Sequence, residues 1–113
     1  MIHFYDTSSL LLLEEELFDN RFIISSITLT ELEDIKTSPR KDEDVKAAAR
    51  HLLNLLDTNS DKYTTIIFNS HMLKPIEQAS IEINNDSKIL ATAIHYSRSI
   101  AHGDMIFFTN DLA

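Results

Sequence analysis

Four runs of β-branched and aromatic residues punctuate the chain, at Ile2 to Tyr5, Phe22 to Ser25, Thr64 to Phe68 and Met105 to Thr109. Each is too short to be a helix of its own. The stretches between them are long enough for helices. Strands separated in this way are joined by crossovers, not by tight hairpin turns, and crossovers favour parallel pairing with helices packed on the sheet faces. The expected architecture is therefore α/β, with three α/β/α layers around a mostly parallel central sheet.

The helical stretches carry their own signals. After the first strand, Ser8 and Ser9 offer caps for a helix bearing Leu10, Leu13, Leu17 and Phe18. Thr28 and Glu31 have the spacing of a capping box that opens a second helix, which Pro39 closes. Between 45 and 56, Val45, Ala48, Ala49, Leu52, Leu53 and Leu56 recur at helical period, with Lys46, Arg50, His51 and Asn54 on the opposite face. Asn84 and Asn85 are cap residues for a helix carrying Ile89, Leu90, Ala93 and Ile94. The stretch around His71 and Pro75 has no assignable pattern.

Composition removes several classes of function. The 113 residues are 43% apolar, enough for one packed core, and one domain over 1–113 is expected. With one Gly and two Pro there is no Gly-rich phosphate loop and no linker. Cysteine is absent, which excludes disulfides, thiolate zinc sites and a thiol nucleophile. The opening Met-Ile-His-Phe-Tyr-Asp lacks the pattern of a signal peptide, and no apolar run reaches membrane-spanning length, so a soluble cytoplasmic protein without a membrane partner is expected.

Eighteen acidic residues against ten basic ones give a formal net charge of −8, which by itself repels a polyanion. Acids that converge on a cation change this, because the bound ion then dominates the local field. Asp6 and Asp111 each stand just past an apolar strand, while Glu31 and Asp86 each stand at the start of an expected helix. In an open parallel sheet those four places share the edge at which ligands bind. Each acid also has a bland explanation: Asp6 and Asp111 as caps, Glu31 as half of a capping box, Asp86 as a partner of the helix dipole. It is the joint pattern that favours a site.

Other features carry less. Glu14-Glu15-Glu16 reads as a solvated helix face, and the five histidines have neither metal-protease spacing nor a neighbouring nucleophile. Ser8 and Ser9 lack the Gly-flanked elbow of a hydrolase nucleophile. Lys36, Arg40, Lys41, Lys46 and Arg50 form a basic segment, but Asp42, Glu43 and Asp44 interrupt it, as on an ordinary mixed-charge surface. Phe4, Tyr5, Phe68, Phe107 and Phe108 fall in strands and are expected in the core, leaving Tyr63 and Tyr96 as poor base-stacking platforms.

Four segments together resemble the PIN domains, metal-dependent nucleases on a Rossmann-like sheet: HFYDTSSLL, ITLTELEDIK, NNDSKILATA and FFTNDLA. The resemblance spans nearly the whole chain. It implies an acidic metal site of Asp6, Glu31, Asp86 and Asp111, with Thr109 as a supporting hydroxyl, and a departure at Ser8, where many members carry Asn. It implies metal-dependent hydrolysis of single-stranded RNA. Lys36, Ala49-Arg50 and the NDSKIL stretch are most similar to PIN domains fused to PhoH-like ATPases, which makes such an ATPase a candidate partner; a second copy of the chain is another. Family members usually continue past the fourth acid, so a stop at Ala113 suggests either the front of a longer protein or a minimal version with an incomplete C-terminal sheet edge.

Four carboxylates in one cleft repel one another unless a cation compensates, and all-oxygen ligands select Mg²⁺ or Mn²⁺ over zinc. Two such ions ~4 Å apart would activate water and stabilise the departing oxygen. Two other readings compete. One is a non-catalytic PIN-like interaction module acting with a fused or separate PhoH-like ATPase. The other is an aspartyl-phosphate enzyme built on Asp6, which needs a lysine at a strand end that neither Lys62 nor Lys74 supplies convincingly.

Overall fold

The structure is a computed structural model that describes residues 2–99 and 104–109. Its described strands are β1 (Ile2–Tyr5), β2 (Phe22–Ser25), β3 (Tyr63–Ile66) and β4 (Met105–Phe108), ordered β3-β2-β1-β4 with every neighbouring pair parallel. The helices are α1 (Thr7–Leu13), α2 (Ser26–Thr37), α3 (Glu43–Thr58), α4 (Lys74–Gln78) and α5 (Asn85–Ser99), with 3-10 turns at Glu14–Asp19, Ser60–Lys62 and Ser70–Leu73. This is the three-layer α/β arrangement that the alternation implies. Among the described residues, no helix is long and apolar enough to cross a membrane.

The strands read as near-continuous apolar runs because both faces of the sheet are covered. Successive side chains point to opposite faces. Tyr5, Phe22 and Ile24 pack on one side with Leu10 of α1, Leu32 of α2, and Ala49, Leu52 and Leu56 of α3. Phe4 and Ile23 pack on the other side with Ile89 and Ala93 of α5. A smaller cluster of Met72, Leu73, Ile76 and Ala91 seats the 3-10 turn Ser70–Leu73 and α4 against α5. One buried polar contact ties the layers: the Ser25 and Thr92 hydroxyls lie 3.0 Å apart, both fully buried.

Three element boundaries differ from the sequence reading, each for a physical reason. The first helix stops at Leu13 rather than running to Phe18, and Glu14 takes a positive φ of 52°. Three consecutive glutamates at a helix C-terminus oppose the helix dipole, and the following 3-10 turn still delivers Leu17 to the core. The second helix is capped by Ser25, whose hydroxyl accepts from the Ile27 amide at 3.2 Å, so Thr28 and Glu31 lie inside α2 and form no capping box. Thr28 is fully buried and faces Thr7. β3 runs Tyr63–Ile66, leaving Phe68 beyond the strand with its amide donating to the Ser26 hydroxyl. Elsewhere the expectation matches: α2 ends just before Ser38, the residue that Pro39 pushes into extended backbone.

Candidate active site

The strand order places β1 and β4 side by side, with connections leaving β1 towards β2 in one direction and reaching β4 from the other. That reversal is a topological switch point, where open α/β sheets form a crevice at the carboxyl ends of the strands. Asp6 follows β1 and Thr109 follows β4, and the two strand ends are joined by the Asp6 amide donating to the Phe108 carbonyl at 3.1 Å. The N-terminus of α5 arrives at the same edge.

A cavity of about 530 Å³ opens there, lined by Asp6, Glu82, Asn84, Asp86, Ser87 and Thr109, with Ile81, Leu90 and Phe107 as its apolar part. Asp6 is buried and caps α1: its Oδ1 accepts from the Ser9 amide at 2.9 Å and from the Ser8 hydroxyl at 3.1 Å. The bland reading of Asp6 thus holds, and it coexists with a position on the cavity wall. Asp86 is exposed in the first turn of α5. Asn84 caps that helix, with its Oδ1 accepting from the Ser87 amide at 2.9 Å while the Ser87 hydroxyl accepts from the Asn84 amide at 2.8 Å. This reciprocal pairing fixes the turn that presents Asp86.

Glu31 is half-buried on α2 and is not part of the cavity lining itself. Burial pushes its carboxyl above the ordinary glutamate range, and the charges of Asp86 and Asp6 push in the same direction. Opposing them, the Thr7 hydroxyl donates to Glu31 Oε1 at 2.7 Å, and the Asn85 side chain also favours the ionised form. Asp6 and Asp86 are therefore close enough for Glu31 to feel their charge. Asp111 lies outside the described residues, and Thr109 is exposed on the cavity wall.

Among the described residues no three acidic or histidine side chains are grouped closely enough to chelate one ion by themselves. Carboxylate oxygens with a hydroxyl nearby still suit a hard cation, and Mg²⁺ in particular is held through one or two carboxylates while keeping several waters. The donor chemistry at Asp6 and Asp86 fits that mode and does not fit a closed protein cage.

Sequence reasoning missed the partners of the acids. Thr7 appeared only as a motif letter and Asn85 only as a cap, yet both bear on Glu31, and Glu82 was not singled out although it lines the cavity. A Thr directly after a strand-end acid was the one available signal. Nothing in the sequence ties Asn85 to α2. The aromatic expectation holds for Phe4 and Tyr5, which are buried, while Phe107 contributes to the cavity. Tyr63 stacks on Phe22 with ring centroids 5.3 Å apart and is no free platform. In the basic segment, Lys36 pairs with Glu33 at 2.8 Å and Lys46 with Glu43 at 3.2 Å, as expected of a mixed-charge surface.

No curated protein matches the sequence closely enough to stand as a relative. Among solved structures, the chain is similar to one from the crystal structure of VapBC2 from Rickettsia felis bound to a DNA fragment from their promoter. The TM-score is 0.52 at 21% identity, over 95% of this chain and 98% of that one. At that identity the likeness speaks for the fold. A family model described as the PIN domain matches residues 4–113, and the chain belongs to the PIN domain family.

Proposed function

We propose that this chain is a Mg²⁺- or Mn²⁺-dependent endoribonuclease that hydrolyses phosphodiester bonds in single-stranded RNA, with Asp6, Glu31, Asp86 and Asp111 as its acidic site and Thr109 in support. The observation that carries the reading is the meeting of Asp6, Asp86 and the charge of Glu31 at the switch-point cavity. Family membership supports the nuclease class. Asp111 enters from its place just past the last apolar run of the sequence and from the PIN resemblance.

The residues divide the work by environment. Asp6, with Oδ1 engaged by Ser8 and Ser9, is held rigidly by its cap and offers its remaining acceptor capacity to the cavity. Asp86, exposed on the capped first turn of α5, is open to substrate at the cavity wall. Glu31, with a raised affinity for protons and a hydroxyl fixing its orientation, is suited to take a proton from an attacking water. Thr109 brings a hydroxyl to the cavity wall beside them. A bound divalent cation would lower the pKa of water and neutralise charge building on the phosphate. On the same reading the enzyme works in the cytoplasm, and a PhoH-like ATPase is its candidate partner.

The test is cleavage of a labelled single-stranded RNA in Mn²⁺ by wild type, Asp6→Asn and Asp86→Asn, with circular dichroism to confirm folding. Asn at position 6 preserves a capping oxygen, so Asp6→Asn should stay folded while losing roughly 100-fold in rate. Undiminished cleavage in both folded variants, or cleavage in excess EDTA, would remove this site as the source.

A further inference from the structure

A second cavity, of about 110 Å³, lies between α5 and the segment formed by the 3-10 turn Ser70–Leu73 and α4. Apart from Ser99, its polar lining is basic: His71 on the turn, and His95 and Arg98 on α5. The two imidazoles pack edge to face, with ring centroids 5.7 Å apart and planes at 79°. Arg98 lies one turn beyond His95, on a neighbouring part of the helix surface. No carboxylate forms an ion pair with His71, His95 or Arg98 among the described residues. In a chain with formal net charge −8, a pocket lined by three such groups is a local exception.

Its position is as informative as its charge. Leu90 lines the acidic cavity and Ile94 lines the second one. Leu90, Ile94 and Arg98 follow the i, i+4, i+8 spacing of one stripe of a helix. The two cavities therefore lie in series along the same side of α5. From Asp86 to Arg98 is a rise of ~18 Å along the axis, at 1.5 Å per residue. A strand with one phosphate every ~3.4 Å of stacked length covers that distance in about five nucleotides.

We propose that the His71–His95–Arg98 pocket is a phosphate site that holds a phosphodiester of the RNA strand a few nucleotides away from the acidic cavity. The identity of the ligand rests on the nuclease reading; the anion chemistry does not. Arg98 supplies a permanent planar donor set, and each imidazole adds a ring N–H donor. The other charged groups on the packed elements are Lys74 and Glu77 of α4, and Asp86 and Lys88 towards the far end of α5; none of them lines this pocket. α2, which also packs on α5, brings Glu31 to that same far end. A cationic pocket set back from an acidic cleft would let this protein grip a polyanion without neutralising the acids that need a cation.

The experiment measures binding in EDTA, so that no cleavage occurs, using fluorescence anisotropy of a labelled single-stranded RNA with the full chain. Arg98→Gln should weaken binding roughly threefold to tenfold and reduce the slope of log affinity against log salt by about 1. Arg98→Lys should restore part of it. The double variant His71→Phe with His95→Phe keeps two rings packed together but removes their N–H donors, and should also weaken binding. All three positions are at least partly exposed, so folding should survive. A parallel titration with inorganic phosphate, read by NMR on the histidine ring signals, separates a strand phosphodiester from free phosphate. Saturation by RNA at far lower concentration assigns the former, and saturation by phosphate alone assigns the latter. Wild-type affinity and salt slope retained in every variant, with ring signals unmoved by either probe, would overturn the site. RNA binding that responds to these variants in a protein that never cuts RNA would keep the pocket and reject the nuclease.

Discussion

At the level of single residues, Glu31 is a carboxyl whose surroundings favour its protonated form. Burial and two neighbouring acids raise its pKa, and the Thr7 hydroxyl only partly offsets them. A carboxyl that binds its proton more tightly folded than unfolded contributes stability that is complete below the unfolded value and is lost as pH rises through the folded one. Ionised Glu31 is thus a liability at neutral pH in the absence of metal. Glu31→Gln keeps an acceptor for Thr7 without the charge. In EDTA it should match wild type in unfolding free energy near pH 4 and exceed it by pH 7, as measured by urea denaturation across that range. A variant less stable than wild type at pH 7 would mean that the carboxylate is held by a favourable partner. The sequence made Glu31 visible as an acid at a helix start but misplaced the start. Ser25, Ser26 and Thr28 are all competent caps; the burial of Thr28 against Thr7 and the engagement of the Ser26 hydroxyl by the Phe68 amide leave the role to Ser25.

Elements were more legible where their pattern is long. α3 shows its apolar face over four turns and was found with its boundaries nearly right, because a 3.6-residue period sustained over that length has no strand counterpart. The 3-10 turn at Ser70–Leu73 and the five-residue α4 were unreadable for the converse reason, being too short to establish a period and fixed by packing on Ala91 of α5. α3 contributes no side chain to the acidic cavity. Leu52→Ala, at a position 3% exposed, should therefore cost ~2–5 kcal/mol through lost burial and the cavity left behind. The urea midpoint should fall with the slope unchanged, and RNA cleavage per folded molecule should hold. A loss of cleavage beyond the loss of folded protein would show that α3 supports the site in a way its packing does not reveal.

For the whole molecule, alternation of strand and helix was enough to infer a parallel three-layer fold, but not the order β3-β2-β1-β4, which depends on where each crossover lands. That order sets β1 beside β4 and gathers acids whose sequence separation is large. Gathering like charges in one cavity works against folding, and a cation that binds only where they are gathered works for it. The expected consequence is linkage: Mg²⁺ or Mn²⁺ should raise the melting temperature, by an amount equivalent to ~2.7 kcal/mol at a hundredfold excess over Kd. At this chain length that is a shift of several degrees. Screening alone would also relieve repulsion in so acidic a protein, so the control is NaCl at matched ionic strength. Wild type should gain more from Mg²⁺ than from the matched NaCl, and Asp86→Asn should lose that excess while keeping the NaCl response. Equal responses to the two salts in wild type would mean that the acids at this edge are caps and solvated charges, and that the cavity does not assemble a metal site.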